Sequence, residues 1–276
     1  MVSVPTGWFP LLFYDNHTAS KTLDVATPQI RQLLGLDLAK ESVLIACMPK
    51  TGSTFISNVL VELMDGYRAH LCESTNQKDQ DLYLPKILVN LNELVIAQHH
   101  LKANEANLDL IRAFGIKTVV LTRNIFDTIP SNLDHMLKEP DGGPCCFVSD
   151  DFVNWDTSKQ VDFLIDTMVP WYMHFYVSWQ AATANRSVPL LWITYEELKH
   201  DPIKLFVRVL NHLGFPKSED QVQAAVDKVG ADREASRINV GKSGRGESVL
   251  SEEQRDRIVR MAKYYDNVDF TPLGID

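Results

Sequence analysis

The sequence predicts an α/β fold, a central parallel β-sheet flanked by helices, formed as one domain over residues 1–276. Three observations predict it. Ser42 to Phe55 reads as a buried strand that runs through a tight polar turn into a helix. Gly115 to Ser131 repeats that strand-to-helix order. Between and after them, short apolar β-branched runs alternate with helical patterns, the arrangement of a doubly wound parallel sheet.

Along the chain, residues 1–41 read as an irregular arm with one helix, about Thr27 to Leu34. Val43 to Met48 is a continuous apolar run, hence a strand buried on both faces. Pro49-Lys-Thr-Gly-Ser-Thr54 is the turn, and a helix follows to Met64. Leu94 to Gln98 reads as a short strand and Asn104 to Phe114 as a helix. Gly115 to Thr122 is the second core strand. After it, Asp127 is expected as an N-cap and Pro130 in the first helical turn, where its missing N–H is tolerated. Ser131 would then lie near the helix start, and the helix reaches about Lys138. Lys159 to Ala184 is long, apolar and aromatic, and Pro170 is expected to break it. Val188 to Thr194 is a strand; Asp201 to Gly214 and Glu219 to Val229 read as helices. Ser251-Glu-Glu-Gln254 is a capping-box pattern opening a last helix to about Tyr264.

The first junction is an anion site by construction. Free N–H groups at a helix start point at the ligand and the helix dipole favours negative charge. The turn adds Lys50 and the hydroxyls of Thr51, Ser53 and Thr54. It is not the common phosphate loop, whose lysine follows the last glycine; here Lys50 precedes the lone Gly52. Arg123 and Ser131 follow the second strand, and ligands of open parallel sheets bind outside the carboxyl ends of the strands. Two polar junctions can therefore face one anionic ligand.

These residues resemble the signatures of the sulfotransferases that use 3′-phosphoadenosine 5′-phosphosulfate (PAPS). Pro49 to Phe55 resembles their PKSGTTW loop, Arg123 and Ser131 their R-x7-S signature, and Trp192 to Pro202 their YEDMKxDP segment. The three occur in the family's order. The resemblance implies a P-loop-like fold and an enzyme moving a sulfuryl group from PAPS to a hydroxyl, with no metal. Lys50 would stabilise the leaving phosphate, and Thr51, Gly52, Ser53 and Thr54 would line the phosphate cradle. Phe55 stands where the family has tryptophan and either stacks on adenine or packs in the core. Arg123 and Ser131 would grip the 3′-phosphate, and Tyr195 would lie by the purine. Arg245 and Gly246 loosely resemble the family's RKG loop on that phosphate, with Lys242 and Arg237 as competitors. A neutral histidine is the natural base for a hydroxyl acceptor. His100, followed by Leu101, matches the family's T-H-L-P context, although Lys102 replaces the proline. His99 is its rival, because neighbouring strand residues face opposite ways.

Composition bounds the partners. Lys plus Arg is 27 against 36 for Asp plus Glu, a net charge of −9, which argues against a nucleic-acid-binding face. The expected partner is a small-molecule, glycan or lipid hydroxyl acceptor. No apolar run approaches the ~20 residues of a membrane span, and no secretory leader pattern is present, so a cytoplasmic protein is expected. The four cysteines show neither metal spacing nor a disulfide framework; Cys47 is a core residue, and Cys145-Cys146 sit in a Gly/Pro loop. Trp171, Phe175 and Trp179 share a helical face, read as core rather than as an acceptor wall, and Trp155 is grouped with them. The competing readings are a P-loop kinase and a non-catalytic protein binding PAPS or its product PAP. Acceptor identity and oligomeric state are left open by the sequence.

Overall fold

The computed structural model describes residues 41–75, 79–138, 148–232 and 244–276. The expected arm helix and residues Cys145, Cys146, Arg237 and Lys242 lie outside them. Five strands are present among the described residues: β1 Val43–Cys47, β2 Tyr67–Arg68, β3 Val95–His99, β4 Lys117–Thr122 and β5 Leu190–Thr194. All pair in parallel, in the order β2-β3-β1-β4-β5. β1 is central because every one of its side chains is apolar and buried, so both faces can be covered. The chain leaves β1 for β2 and β3 on one side, then crosses to β4 and β5 on the other. The loop after β1 therefore opens at a switch point of the sheet, where such folds bind ligands.

Alternation along β1 builds two cores. Val43, Ile45 and Cys47 face one side and Leu44, Ala46 and Met48 the other. On the first side pack α1 (Ser53–Met64), α7 (Pro202–Leu213) and α8 (Glu219–Ala231). On the second pack α3 (Glu105–Phe114), α4 (Ile125–Lys138), α5 (Thr157–Ala184) and α10 (Glu252–Ala262). Short helices α2 (Leu84–Val89), α6 (Tyr195–His200) and α9 (Arg245–Val249) complete the order. Helix ends follow the sequence closely. Asn104 caps α3, Asp201 caps α7 with Gly214 closing it, and Ser218 and Ser251 form capping boxes on α8 and α10. No helix among the described residues is long and apolar enough to cross a membrane.

Two expectations are corrected. Pro170 does not break the long segment: α5 is continuous over 28 residues with the proline inside. An internal proline costs about 3 kcal/mol, and a large buried side chain returns roughly 1.5–3 kcal/mol. Val169, Trp171, Tyr172 and Met173 are all buried around Pro170, so packing outweighs the lost bond. Trp171, Phe175 and Trp179 are core, as read from their spacing, while Trp155 is half-buried with the Lys159 ammonium 4.0 Å over its ring.

The second correction concerns α4. It begins at Ile125, so Pro130 is inside the helix and Ser131 is in its second turn. Asn124 does the capping, its Oδ1 accepting the N–H groups of Phe126 and Asp127 at 2.9 and 3.3 Å. Asp127 is freed for another role.

Candidate active site

The β1 loop is held open from beneath. Lys50 adopts the left-handed region, with φ of 64°. For a non-glycine residue that conformation costs about 1–2 kcal/mol, and two bonds fix it here. Arg123 Nη1 donates to the Lys50 carbonyl at 2.8 Å, and Thr51 Oγ1 donates to the Met48 carbonyl at 2.8 Å. Gly52 is the N-cap of α1, with φ of 81° and no side-chain cap. A Cβ there would meet the Tyr195 ring at 3.1 Å, so the loop's glycine lets the tyrosine close against it. Ser53 is buried at the first position of α1 and Thr54 is half-buried beside it. The first-turn N–H groups of α1 and the Ser53 and Thr54 side chains lie where the sequence predicts that an anion sits.

β4 and β5 supply one flank. Arg123, buried at the end of β4, lies with its Cζ 4.2 Å from the centroid of the Tyr195 ring. Burial pushes the Tyr195 phenol up, against the lowering effect of Arg123. Phe55 is half-buried and packs against Phe206 of α7 at 6.3 Å between ring centroids, so its ring lines the core edge beside the seat.

β3 supplies the other flank, and the two histidines separate. Parallel pairing aligns Ala46 with His99, so the next residues in line are Cys47 and His100. His99 is fully buried, and its Nε2 accepts the Leu71 N–H at 2.8 Å. Burial, with His70 and His100 adding to it, pushes its pKa down to about 3. His100 is half-buried just past the strand. Its Nδ1 lies 2.9 Å from the Cys47 carbonyl, which can only accept. Nδ1 therefore carries the proton and Nε2 presents a lone pair. Burial pushes the His100 pKa down to about 4, and the nearby Lys50 charge adds to the shift. Cys47 Sγ lies 3.5 Å from the same Nδ1, and burial pushes that thiol up to about 12. Gln80, which no sequence signal marks, clasps the peptide of His100. Its N–H donates to the His100 carbonyl at 2.9 Å and its Oε1 accepts the His100 N–H at 2.9 Å. Lys102, in place of the family's proline, pairs with Asp79 at 2.9 Å.

The C-terminal segment meets α4. Asp127 is buried, and its carboxylate accepts the N–H groups of Gly244 and Gly246 at 2.7 and 2.9 Å. Arg245 makes a two-pronged pair with Asp134, at 2.6 and 3.2 Å. Asp127, Ser131 and Asp134 recur at helical spacing, so one face of α4 carries all three. The structure thus brings Arg245 and Gly246 onto the face of Ser131, with the guanidinium and the Gly246 N–H engaged by the two carboxylates. Pro130 cannot donate to the Phe126 carbonyl, and Gly246 packs against that peptide. A Cβ at Gly246 would meet the Phe126 carbonyl carbon at 2.7 Å and its oxygen at 2.8 Å. Gly246→Ala is expected to destabilise the protein by about 1–3 kcal/mol through overpacking against a backbone that cannot yield. Denaturant unfolding with an unchanged m-value would show it; a wild-type midpoint would refute it.

Comparison with known proteins identifies the family. A family model described as the sulfotransferase domain matches residues 40–232. The flavonol sulfotransferase-like protein of Flaveria bidentis is 23% identical over 229 residues, 77% of this chain and 69% of that protein. Sulfotransferase 1A1 of Mus musculus is 24% identical over 236 residues, 81% of this chain and 73% of its own length. The crystal structure of mouse sulfotransferase SULT7A1 complexed with PAP superposes with a TM-score of 0.62 at 15% identity, covering 88% of this chain and 93% of that one. A retinol dehydratase in complex with androsterone and the inactive cofactor PAP gives 0.56 at 14% identity, covering 84% and 85%. These structures share the fold, and the domain match covers more than half of the sequence. The chain belongs to the sulfotransferase family of enzymes.

Proposed function

We propose that this protein transfers the sulfuryl group of PAPS to the hydroxyl of a small-molecule, lipid or carbohydrate acceptor. The observation that carries the reading is the placement of Lys50. Its carbonyl is bound by Arg123 of the β4 flank, and its charge acts on His100 of the β3 flank. This links Lys50 to both Arg123 and His100, which in the proposed reaction take the cofactor phosphate and the acceptor proton.

In the proposed reaction the acceptor oxygen attacks sulfur in line as the bond from sulfur to the bridging oxygen breaks. His100 Nε2 takes the hydroxyl proton, and the bond electrons go to the bridging oxygen of the leaving phosphate, giving PAP. Lys50 stabilises the charge that develops there. Thr51, Gly52, Ser53 and Thr54 hold the 5′-phosphate. Arg123 and Ser131 hold the 3′-phosphate, with Arg245 and Gly246 closing over the same face of α4. Tyr195 and Phe55 border the purine. Retinol dehydratase, a neighbour in fold, is seen with androsterone and with retinol, which supports an acceptor that is small and apolar apart from its hydroxyl. A cytoplasmic setting and a single domain over 1–276 belong to the same proposal.

The direct test is transfer of labelled sulfate from PAPS across a panel of phenols, sterols, retinoids and sugars, with a no-acceptor control. Acceptor-dependent label transfer with release of PAP is expected. ATP turnover with magnesium, and none with PAPS, would overturn the reading in favour of a kinase.

A further inference from the structure

The groups around the β1 loop divide over the sheet. Arg123 and Tyr195 close β4 and β5 on one side of β1. On the other side β3 ends at His99, with His100 next, and beyond it β2 ends in Arg68, which is exposed. The guanidinium of Arg68 is held at two points. Nη1 donates to Asn58 Oδ1 in the second turn of α1 at 3.1 Å, and Nη2 donates to Gln98 Oε1 of β3 at 3.3 Å. Burial raises the pKa of the Cys47 thiol against the lowering effect of the Ser53, Gln98 and Thr51 side chains, and that sulfur lies 3.5 Å from His100 Nδ1. The charge of Arg68 also reaches Cys47. Through Gln98, Arg68 is thus one side chain removed from the thiol beneath the loop, and it flanks the second turn of α1.

We propose that Arg68 binds the oxygens of the sulfuryl group being transferred, so that it distinguishes PAPS from PAP. The inference rests on the PAPS reading above. If the adenosine end lies against β4 and β5, the sulfuryl end points to β3 and β2, where His100 must reach the acceptor proton. A planar guanidinium matches the oxygens of a tetrahedral oxyanion, and the bonds to Asn58 and Gln98 fix its plane between α1 and β3. As the bond to the bridging oxygen breaks, charge moves from the sulfuryl oxygens to the leaving phosphate. Arg68 therefore acts on binding of PAPS more than on the rate of the chemical step, the reverse of Lys50.

Calorimetric titration of the wild type, Arg68→Gln and Arg68→Lys with PAP and with PAPS, acceptor omitted, tests this. Arg68→Gln is expected to weaken PAPS binding about 10-fold or more, the effect of a charge-assisted hydrogen bond. PAP affinity should stay within about twofold, and Arg68→Lys should fall between. Equal weakening of both ligands, or of neither, overturns the assignment while leaving the PAPS reading intact. A wild type that binds neither ligand overturns both. If Arg68→Gln fails to fold, Gln98→Leu removes the β3 anchor and keeps the charge. The same selective loss of PAPS affinity is expected there, and its absence overturns the proposal.

Discussion

Lys50→Ala is expected to lower kcat for sulfuryl transfer by about 10²–10³-fold, the loss associated with one preorganised donor at a developing anion. PAP affinity should change far less, since the helix start, Arg123 and the loop hydroxyls remain. The fold should be retained, because alanine meets the same left-handed backbone as lysine and both bonds that fix the loop survive: Arg123 to the carbonyl at position 50 and Thr51 to Met48. Single-turnover transfer from PAPS measures the chemical step directly. An unchanged rate would remove the lysine from the mechanism. Lys50→Arg is not expected to restore the rate, because a planar fork cannot take the place of a compact ammonium at one oxygen. A second readout follows from the neighbouring ring. The Lys50 charge is among the causes that lower the His100 pKa, so its removal should move that pKa upward.

His100→Ala should lower kcat by about 10²–10⁴-fold, the range for loss of a positioned base. His99→Ala should behave differently. Its Nε2 accepts a buried backbone N–H from Leu71, so removing it leaves that group unpaired at a penalty of about 1–3 kcal/mol. The expected signature is reduced stability with kcat within a fewfold of wild type. Equal loss of kcat in both variants would sink the separation of roles.

The pH dependence has a defined sign. The folded pKa of His100 is near 4, below the ordinary value of 6.5, so the ring is neutral and able to accept a proton down to about pH 4. The acid limb of kcat/KM for PAPS, which reports the free enzyme, should therefore fall near pH 4 rather than 6.5. The limb in kcat should lie higher, since bound PAPS places negative charge beside the ring. A ring so depressed is a weak base when free, and in the proposed reaction the charge of bound PAPS would strengthen it. Stability follows the same linkage. His99 and His100 are neutral in the folded state, while the unfolded chain protonates them below about 6.5. Their contribution is complete above that pH and is lost as pH falls toward 4 for His100 and 3 for His99. Denaturant midpoints measured between pH 7 and 4 should decline, and less steeply in His99→Gln.

The sequence by itself determined four of the five described strands, several helix starts and the places of Lys50, Arg123 and Tyr195 at strand ends, because each rests on local chemistry. An apolar β-branched run, a glycine in a tight turn or a serine three residues before a glutamine acts over a few residues, and the fold keeps what such signals specify. The tertiary structure decided what depends on register and on contacts between distant segments. Parallel pairing of β1 with β3 sent His99 into the core and left His100 beside the Cys47 carbonyl, 53 residues away. Asp127 read locally as a cap, but Asn124 satisfied the helix start and the carboxylate took up backbone donors 117 and 119 residues further on. Pro170 read as a breaker, and burial around it kept the helix whole. Arg68 carries no motif at all. Its place comes from β2 lying at the sheet edge beside β3, where Asn58 and Gln98 hold it. Local energies of about 1–3 kcal/mol specify elements; which side chains share a site is set by long-range pairing and burial that no short stretch of sequence contains.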